Sequence, residues 1–106
     1  MNASTPPRRL RRLAVASVID RRVPVARSPL ARLLGLALLD RGRAGEGLLI
    51  PGCRSVHTFG MRFPLDLVFL DAELRPLAVR ACVPPRRLAW LGGAHAVLEL
   101  PAEECC

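Results

Sequence analysis

The stretch from Cys53 to Asp71, CRSVHTFGMRFPLDLVFLD, restricts the fold more than any other part of the sequence. Its final part, Leu65–Leu70, is apolar except for Asp66, and such a run is typical of a strand buried on both faces inside a sheet. Pro64 keeps Phe63 out of the helical conformation. The stretch therefore predicts two extended segments joined by a tight bend, with one carboxylate inside the second segment.

Outside this stretch the sequence predicts one helix and several short strands. The helix begins at Ser28-Pro29, a capping residue followed by proline at the first helical position, and we expect it to stop by Gly42. Its leucines have the spacing of one helical face, which we expect to pack on the sheet. Pro24 excludes residues 23–25 from the interior of a sheet, because proline has no N–H to donate. Further strands are predicted at residues 13–19, 77–83, 86–90 and 94–100.

This order of elements predicts a mostly β (α+β) fold. Short strands separated by turns, with a single helix, are typical of a small barrel-like or bent antiparallel sheet with one helix packed on it.

The basic charge of the chain is concentrated near its N-terminus. All 16 basic residues are arginines; seven of them lie in residues 1–27 with a single acid, whereas residues 28–106 hold nine arginines and eight acids. We expect residues 1–12 to form a disordered basic arm and residues 13–106 to form a single β-rich domain. The arm is either a solubilising tail, which we favour, or a contact with an anionic polymer or membrane surface. We do not expect a nucleic-acid partner, because the rest of the chain is nearly neutral.

Three features bear on where the protein works. No stretch reaches the about 20 apolar residues of a membrane span. The seven-residue apolar run after Arg12 ends at Asp20 without a cleavage site, so we interpret it as a strand and not as a secretion signal. The four cysteines, at positions 53, 82, 105 and 106, do not form a disulfide pattern, and free thiols fit a reducing compartment. The sequence leaves open whether Cys105 and Cys106 bond to anything. Together these observations predict a cytoplasmic protein.

The candidate site lies around Asp66. A carboxylate inside an apolar strand needs hydrogen-bond or arginine partners. It is therefore either a ligand-binding or general-base group, or an anchor for backbone N–H groups of the bend at residues 57–63, and we favour the anchor. The other candidate ligand-binding residues are His57, Phe59, Met61 and Arg62.

We expect neither a metal ion nor a cofactor. Cys53 and His57 lie ~13 Å apart in an extended strand, so their side chains meet only across a sharp bend. No further Cys or His pair completes a tetrahedral set of zinc ligands, and the sequence contains no dinucleotide-binding or phosphate-binding fingerprint.

Four segments of the chain resemble a known family of small bacterial and archaeal proteins. They are Gly35-Leu36, Gly47–Ile50, SVHTFGMRFPLDLVFLD at 55–71 and AVLELPA at 96–102. Together they are similar to the family called domain of unknown function 192, which has no assigned chemistry. The resemblance implies a compact, predominantly β domain with one helix. Members usually continue into a final strand that this chain lacks after residue 102, which implies either truncation or an open sheet edge that favours self-association.

These observations predict a non-catalytic binding or accessory module with a pocket near Asp66 and an unknown ligand or protein partner. One alternative is a small enzyme that uses Asp66 and His57 as an acid–base pair, which requires the two groups to lie within about 3 Å. The other is contact with anionic polymers or membrane surfaces through the arginine arm. The absence of a complete catalytic motif favours the binding module.

Overall fold

The protein is a mostly β structure in which a six-stranded sheet is accompanied by a two-stranded ribbon. The computed structural model describes residues 14–18, 21–103 and 105. The elements, in chain order, are β1 (Ala14–Val18), β2 (Arg21–Val25), α1 (Pro29–Leu34), β3 (Leu48–Pro51), β4 (Ser55–His57), β5 (Leu65–Leu70), β6 (Pro76–Val83), β7 (Leu88–Trp90) and β8 (Ala96–Pro101), with a 3-10 turn at Arg41–Arg43. None of the described helices is long and apolar enough to cross a membrane. The predicted arm, residues 1–12, lies outside the described residues and stays a prediction.

The larger sheet has the strand order β1-β2-β3-β8-β5-β6, and β4 and β7 form the ribbon. All strand pairs are antiparallel except β2 and β3, which are parallel and meet only at Val25 and Leu49. The prediction of a mostly β fold with one helix is confirmed. Among the described strands β1 and β6 are the two edges, so the sheet is not closed into a barrel.

The strands predicted from the apolar run and its neighbours are confirmed. The run Leu65–Leu70 is β5, an interior strand with β8 on one side and β6 on the other. Its alternate side chains enter two apolar clusters, with Leu67 and Phe69 in one and Val68 and Leu70 in the other. Burial on both faces is the reason that this strand lacks polar alternation.

Two predictions about sheet position are wrong. The last strand, β8, pairs with both β3 and β5, so the open edges of the sheet lie at β1 and β6 and not beside β8. Strand β2 contains Pro24 and nevertheless lies between β1 and β3. The sheet tolerates this proline because β3 pairs with β2 only at Val25 and requires no N–H from Pro24.

The helix begins where the sequence predicts and ends much earlier. The Ser28 hydroxyl accepts a hydrogen bond from the Ala31 amide at 3.1 Å, which is an N-cap. The helix stops at Gly35, whose φ of +51° reverses the chain, and not at Gly42. Leu30 and Leu33 are exposed, so the predicted apolar face does not pack on the sheet. The core instead receives Leu36, which directly follows the turn.

A disulfide joins Cys82 on β6 to Cys105 near the C-terminus. The expectation of a free thiol is therefore wrong for Cys82, whereas for Cys105 the bond answers a question that the sequence left open. Cys53 is the free cysteine of the described part of the chain. After β8, the Ala102 amide donates to the Pro64 carbonyl at 3.0 Å, which directs the chain across the end of β5 towards β6. Sequence spacing gave no sign of the pairing because the fold brings together residues 23 positions apart.

Candidate functional site

A partly open cavity of about 330 Å³ lies between α1 and β4. Its walls come from the helix, the end of β3 and the turn after it, β4 and β8; the lining residues are Pro29, Arg32, Leu33, Ile50, Cys53, Ser55, Val56, His57 and Glu99. This volume suits a small ligand, since ligand sites in proteins begin at about 300 Å³. The cavity is the candidate site because it combines a buried carboxyl group with a thiol, an imidazole and a guanidinium group.

Glu99 is the most deeply buried polar side chain in the cavity wall, with 1% of its surface exposed. It lies on β8 with Leu48 of β3 and Leu67 of β5 as its neighbours across the sheet. Its Oε1 accepts a hydrogen bond from the Leu36 amide at 3.2 Å. Burial raises the pKa of Glu99 to about 7, and the Leu36 hydrogen bond opposes this rise only in part. The carboxyl group therefore changes its charge near neutral pH.

Two glycines allow the backbone to approach Glu99 closely. A Cβ atom on Gly35 would lie 2.6 Å from Glu99 Oε1, and a Cβ on Gly47 would lie 2.7 Å from the Glu99 backbone oxygen. Both glycines also have positive φ, at +51° and +131°. Gly35, Gly47 and Glu99 all belong to segments on which the family resemblance rests, so three of these segments meet at one residue, Gly35 at its carboxyl group and Gly47 at its backbone.

The turn between β3 and β4 contributes a thiol and positions a guanidinium group. Arg32 Nη2 donates to the Gly52 carbonyl at 3.0 Å, which holds this helix side chain against the turn. Cys53 Sγ donates to the Ile50 carbonyl at 3.5 Å. Burial raises the pKa of the Cys53 thiol, and the neighbouring Arg32 charge lowers it by less. Cys53 is therefore a neutral thiol at neutral pH.

His57 contributes an imidazole ring from β4. Its Nδ1 accepts a hydrogen bond from the Phe59 amide at 3.2 Å, so the neutral ring carries its proton on Nε2. Between Cys53 and His57 the chain has one bend, at Arg54, before β4 begins. Both side chains line the cavity.

The ribbon of β4 and β7 places exposed apolar side chains beside the cavity. Ser55 lies opposite Trp90, and His57 lies opposite Leu88. Opposite residues of an antiparallel pair share one face, so Trp90 and Leu88 lie on the same face of the ribbon as Ser55 and His57, two of the three β4 residues that line the cavity. Trp90 is 67% exposed and Leu88 is 69% exposed. Both side chains are therefore neighbours of cavity-lining residues without lining the cavity themselves.

Thr58 holds the ribbon in place directly after β4. It is buried, its Oγ1 donates to the Pro84 carbonyl at 2.7 Å, and the same atom accepts from the Arg87 amide at 2.8 Å. These bonds join the end of β4 to the loop before β7. Ordinary turn signals did not identify this residue, because its partners lie more than 25 positions away.

Of the five predicted ligand-binding residues, His57 is the one in the described cavity wall. Phe59 is 52% exposed, and its ring lies 5.9 Å from the His57 ring. Met61 is buried in the main apolar cluster. Arg62 is exposed and forms an ion pair with Asp40 at 3.1 Å. The predicted set is therefore spread over the core, the surface and the cavity.

Asp66 joins β5 to β6 and does not line the cavity. Its Oδ1 accepts a hydrogen bond from the Cys82 amide at 2.8 Å, so the donor lies on β6 and not in the bend where the sequence analysis expected it. The β5–β6 register shifts between Leu65 and Leu67, where two β6 residues face Asp66 alone. In a bulge, the extra residue has no partner on the neighbouring strand. Here the Asp66 carboxylate accepts the hydrogen bond of that residue's backbone amide.

Sequence reasoning missed Glu99 and Arg32. The signal for Glu99 was present, because a carboxylate in the apolar strand AVLEL meets the same criterion that selected Asp66. Arg32 gave no signal, since an arginine on a helix usually faces solvent. Within the described residues, no three His, Cys, Asp or Glu side chains are grouped so that they could hold a metal ion.

Two solved structures share this fold. A protein of unknown function from Novosphingobium aromaticivorans DSM 12444 is 21% identical with a TM-score of 0.61, over 74% of this chain and 61% of that one. This chain thus spans about three fifths of that protein's length. A protein from Sinorhizobium meliloti 1021, described as "a putative transcription regulator", is 19% identical with a TM-score of 0.66, over 83% of this chain and 77% of that one. At such identities the likeness shows the fold alone.

A family model covers nearly the whole chain. No curated protein matches the sequence. Residues 13–105 match the model of DUF192, described as "Uncharacterized ACR, COG1430". The match includes the cavity-lining residues and every segment on which the sequence resemblance rests. The chain therefore belongs to the DUF192 family of uncharacterised proteins.

Proposed function

We propose that the protein is a binding module whose ligand site is the cavity between α1 and β4, with Glu99 as its principal polar group. The proposal keeps the binding module predicted from the sequence and moves its pocket from Asp66 to Glu99. For Asp66 we propose a structural role, which its hydrogen bond to the Cys82 amide supports.

The observation that carries this proposal is a buried carboxyl group in a cavity wall with only a backbone amide as its hydrogen-bond donor. Within the described residues Glu99 forms no ion pair, and its Oε1 accepts from Leu36 alone. A carboxyl group in such surroundings costs stability that an apolar residue of similar size would not cost. Buried groups with a strongly shifted pKa in a cavity are frequently functional.

The neighbouring groups support a binding site of mixed polarity. Arg32 offers a positive charge, His57 Nε2 offers a donor, and Leu33 offers apolar surface. Ligand sites commonly combine an apolar lining with a few polar groups that determine the orientation of the ligand.

The test is an NMR titration of the ¹⁵N-labelled protein with small neutral, cationic, anionic and zwitterionic fragments. The probes include imidazole, isoamylamine, 4-methylpentanoate and L-leucine. We expect at least one class to shift the amide signals of Leu36, Ser55 and His57 in a saturable way. If no fragment of any class shifts these signals, the proposed function is wrong.

A cavity-filling variant provides the control. Ser55→Trp puts a large side chain into the cavity and should abolish the shifts. Ala81→Trp makes a substitution of comparable size at an exposed position of β6, away from the cavity, and should leave them unchanged. Equal loss of binding in both variants would contradict the assignment of the site.

One observation favours an acid–base enzyme as the second candidate. Glu99 and His57 share the cavity wall, and a carboxyl pKa of about 7 suits a general acid or base at neutral pH. In this form the enzyme hypothesis uses Glu99 in place of Asp66. Conversion of a bound fragment during the NMR titration, abolished by Glu99→Gln, would support the enzyme over the binding module.

We propose the β6 edge as the surface for self-association. It is eight residues long, it has no partner on its outer side among the described strands, and Leu77 and Val79 are exposed. Exposed apolar edge strands pair with other chains unless charges prevent it. We expect Val79→Lys to reduce any dimer seen by analytical ultracentrifugation, and an unchanged dimer would exclude this edge.

The cytoplasmic location stays a prediction that rested partly on free thiols. Disulfides persist mainly in oxidising compartments, so the Cys82–Cys105 bond argues for such a compartment. Mass spectrometry after rapid alkylation of intact cells counts the free thiols. Alkylated Cys82 and Cys105 would support the cytoplasm, and an intact bond between them would support an oxidising compartment.

A further inference from the structure

We propose that the ligand of this cavity is a small amino-carboxylate zwitterion, with its ammonium group on Glu99 and its carboxylate on Arg32. This inference rests on the proposed function and names the chemical class of the ligand. It is carried by the presence of two oppositely charged side chains, Glu99 and Arg32, in one cavity wall. Neither side chain has an ionic partner among the described residues.

Glu99 requires a cationic donor more than a neutral one. Its Leu36 contact leaves an ionised carboxylate without a compensating charge. At low dielectric, the attraction between opposite charges is many times its strength in water. A ligand ammonium group would therefore bind the ionised carboxylate strongly, whereas an anionic group at the same place would be repelled.

A simple cation would provide a partner for Glu99 but none for Arg32, which is also in the cavity wall. Arg32 uses one N–H of Nη2 for the Gly52 carbonyl, and its guanidinium group has five N–H donors in all. The ion pairs recorded among the described residues involve other arginines, Arg62 and Arg75. A planar guanidinium group recognises carboxylates well. The cavity thus presents one group for each end of a zwitterion.

The remaining walls limit the size and character of the ligand. A cavity of about 330 Å³ has room for a small ligand. Leu33 and Ile50 line it, and Leu88 and Trp90 lie beside its lining residues on the ribbon. These side chains suit a short apolar chain between or beside the charged groups. An amino acid with an aliphatic side chain fits this description.

The test compares three probes that share one carbon skeleton: L-leucine, isoamylamine, which lacks its carboxylate, and 4-methylpentanoate, which lacks its ammonium group. Affinities are measured by NMR titration of the cavity amides at pH 8. We expect L-leucine to bind about tenfold or more tightly than either relative, because each charge-assisted hydrogen bond is stronger than a neutral one.

Two variants assign the two ends of the ligand. Glu99→Gln should remove the advantage of L-leucine over 4-methylpentanoate, and Arg32→Gln should remove its advantage over isoamylamine. Arg54→Gln, an exposed arginine outside the cavity lining, is the matched control and should change neither ratio. Circular dichroism spectra establish that the variants remain folded.

The outcomes separate this inference from the proposed function. If isoamylamine, 4-methylpentanoate or a neutral fragment shifts the cavity amides and L-leucine has no advantage, the zwitterion proposal is wrong and the binding module stands. If no fragment shifts those amides, both proposals are wrong. An advantage of L-leucine that survives both Glu99→Gln and Arg32→Gln would also overturn the zwitterion proposal.

Discussion

Glu99 Oε1 on β8 lies 3.2 Å from the backbone nitrogen of Leu36, which directly follows the glycine that ends α1. This hydrogen bond joins positions 63 residues apart. Gly35 allows it, because any larger residue would place a Cβ atom against the carboxyl group. The end of the helix, the interior of the sheet and the cavity are therefore coupled through one side chain.

The first prediction concerns the pH dependence of stability. The pKa of Glu99 is raised from 4.5 to about 7 in the folded state, so the folded protein retains a proton that the unfolded chain releases above pH 4.5. The contribution of this group is fully present below pH 4.5 and is lost as the pH rises towards 7. Relative to Glu99→Gln, we expect the wild-type free energy of unfolding to fall by about 3 kcal/mol from pH 4.5 to pH 8.

Urea unfolding of both proteins at several pH values measures this difference. Glu103→Gln is the control, because it removes an exposed carboxyl group that does not line the cavity. A constant difference between the wild type and Glu99→Gln across this range would show that the carboxyl group has an ordinary pKa.

The second prediction concerns Gly35. We expect Gly35→Ala to lower the free energy of unfolding by about 1–3 kcal/mol, because it combines a left-handed backbone with a Cβ atom 2.6 Å from Glu99 Oε1. Gly92→Ala is the matched control, since Gly92 has no neighbour within 4 Å and no positive φ. Its effect should stay within about 0.5 kcal/mol. Equal effects in urea unfolding would mean that the contact with Glu99 relaxes without cost.

The strands were predictable because their signals are local. The run Leu65–Leu70 is buried on both faces and shows it in its composition, and the Ser28-Pro29 pair marks the start of the helix with residues that act within one turn. The end of the helix was not predictable in the same way. At the residue that ends it, Gly35, the chain lies against Glu99 of β8, and that contact joins residues far apart in the sequence.

The candidate site was only partly predictable for the same reason. His57 lies in the cavity as expected of a site residue, whereas Met61 is in the core and Arg62 pairs with Asp40 on the surface. Both carboxylates in apolar strands carried the same signal. They differ in the backbone amide that each one accepts from. Asp66 accepts from the bulged strand β6, and Glu99 accepts from the turn after α1.

The third prediction tests the structural role of Asp66. We expect Asp66→Ala to lower the free energy of unfolding by about 1–3 kcal/mol, because it removes the carboxylate to which the Cys82 amide donates. Asp66→Asn keeps an oxygen acceptor and should cost less. Fragment binding in the cavity should be unchanged in both variants, as measured by the same NMR titration. Loss of binding at full stability would instead make Asp66 a site residue.

The fourth prediction concerns the disulfide between Cys82 and Cys105. It closes a loop with a sequence separation of 23, and Cys105→Ser should lower the free energy of unfolding by about 3 kcal/mol through the added freedom of the unfolded chain. Urea unfolding with and without a reducing agent measures this effect. Cys53→Ser is the control, because it keeps the disulfide and should lose a similar amount on reduction. If the reducing agent leaves the stability of the wild type unchanged, residues 82 and 105 are not bonded in solution.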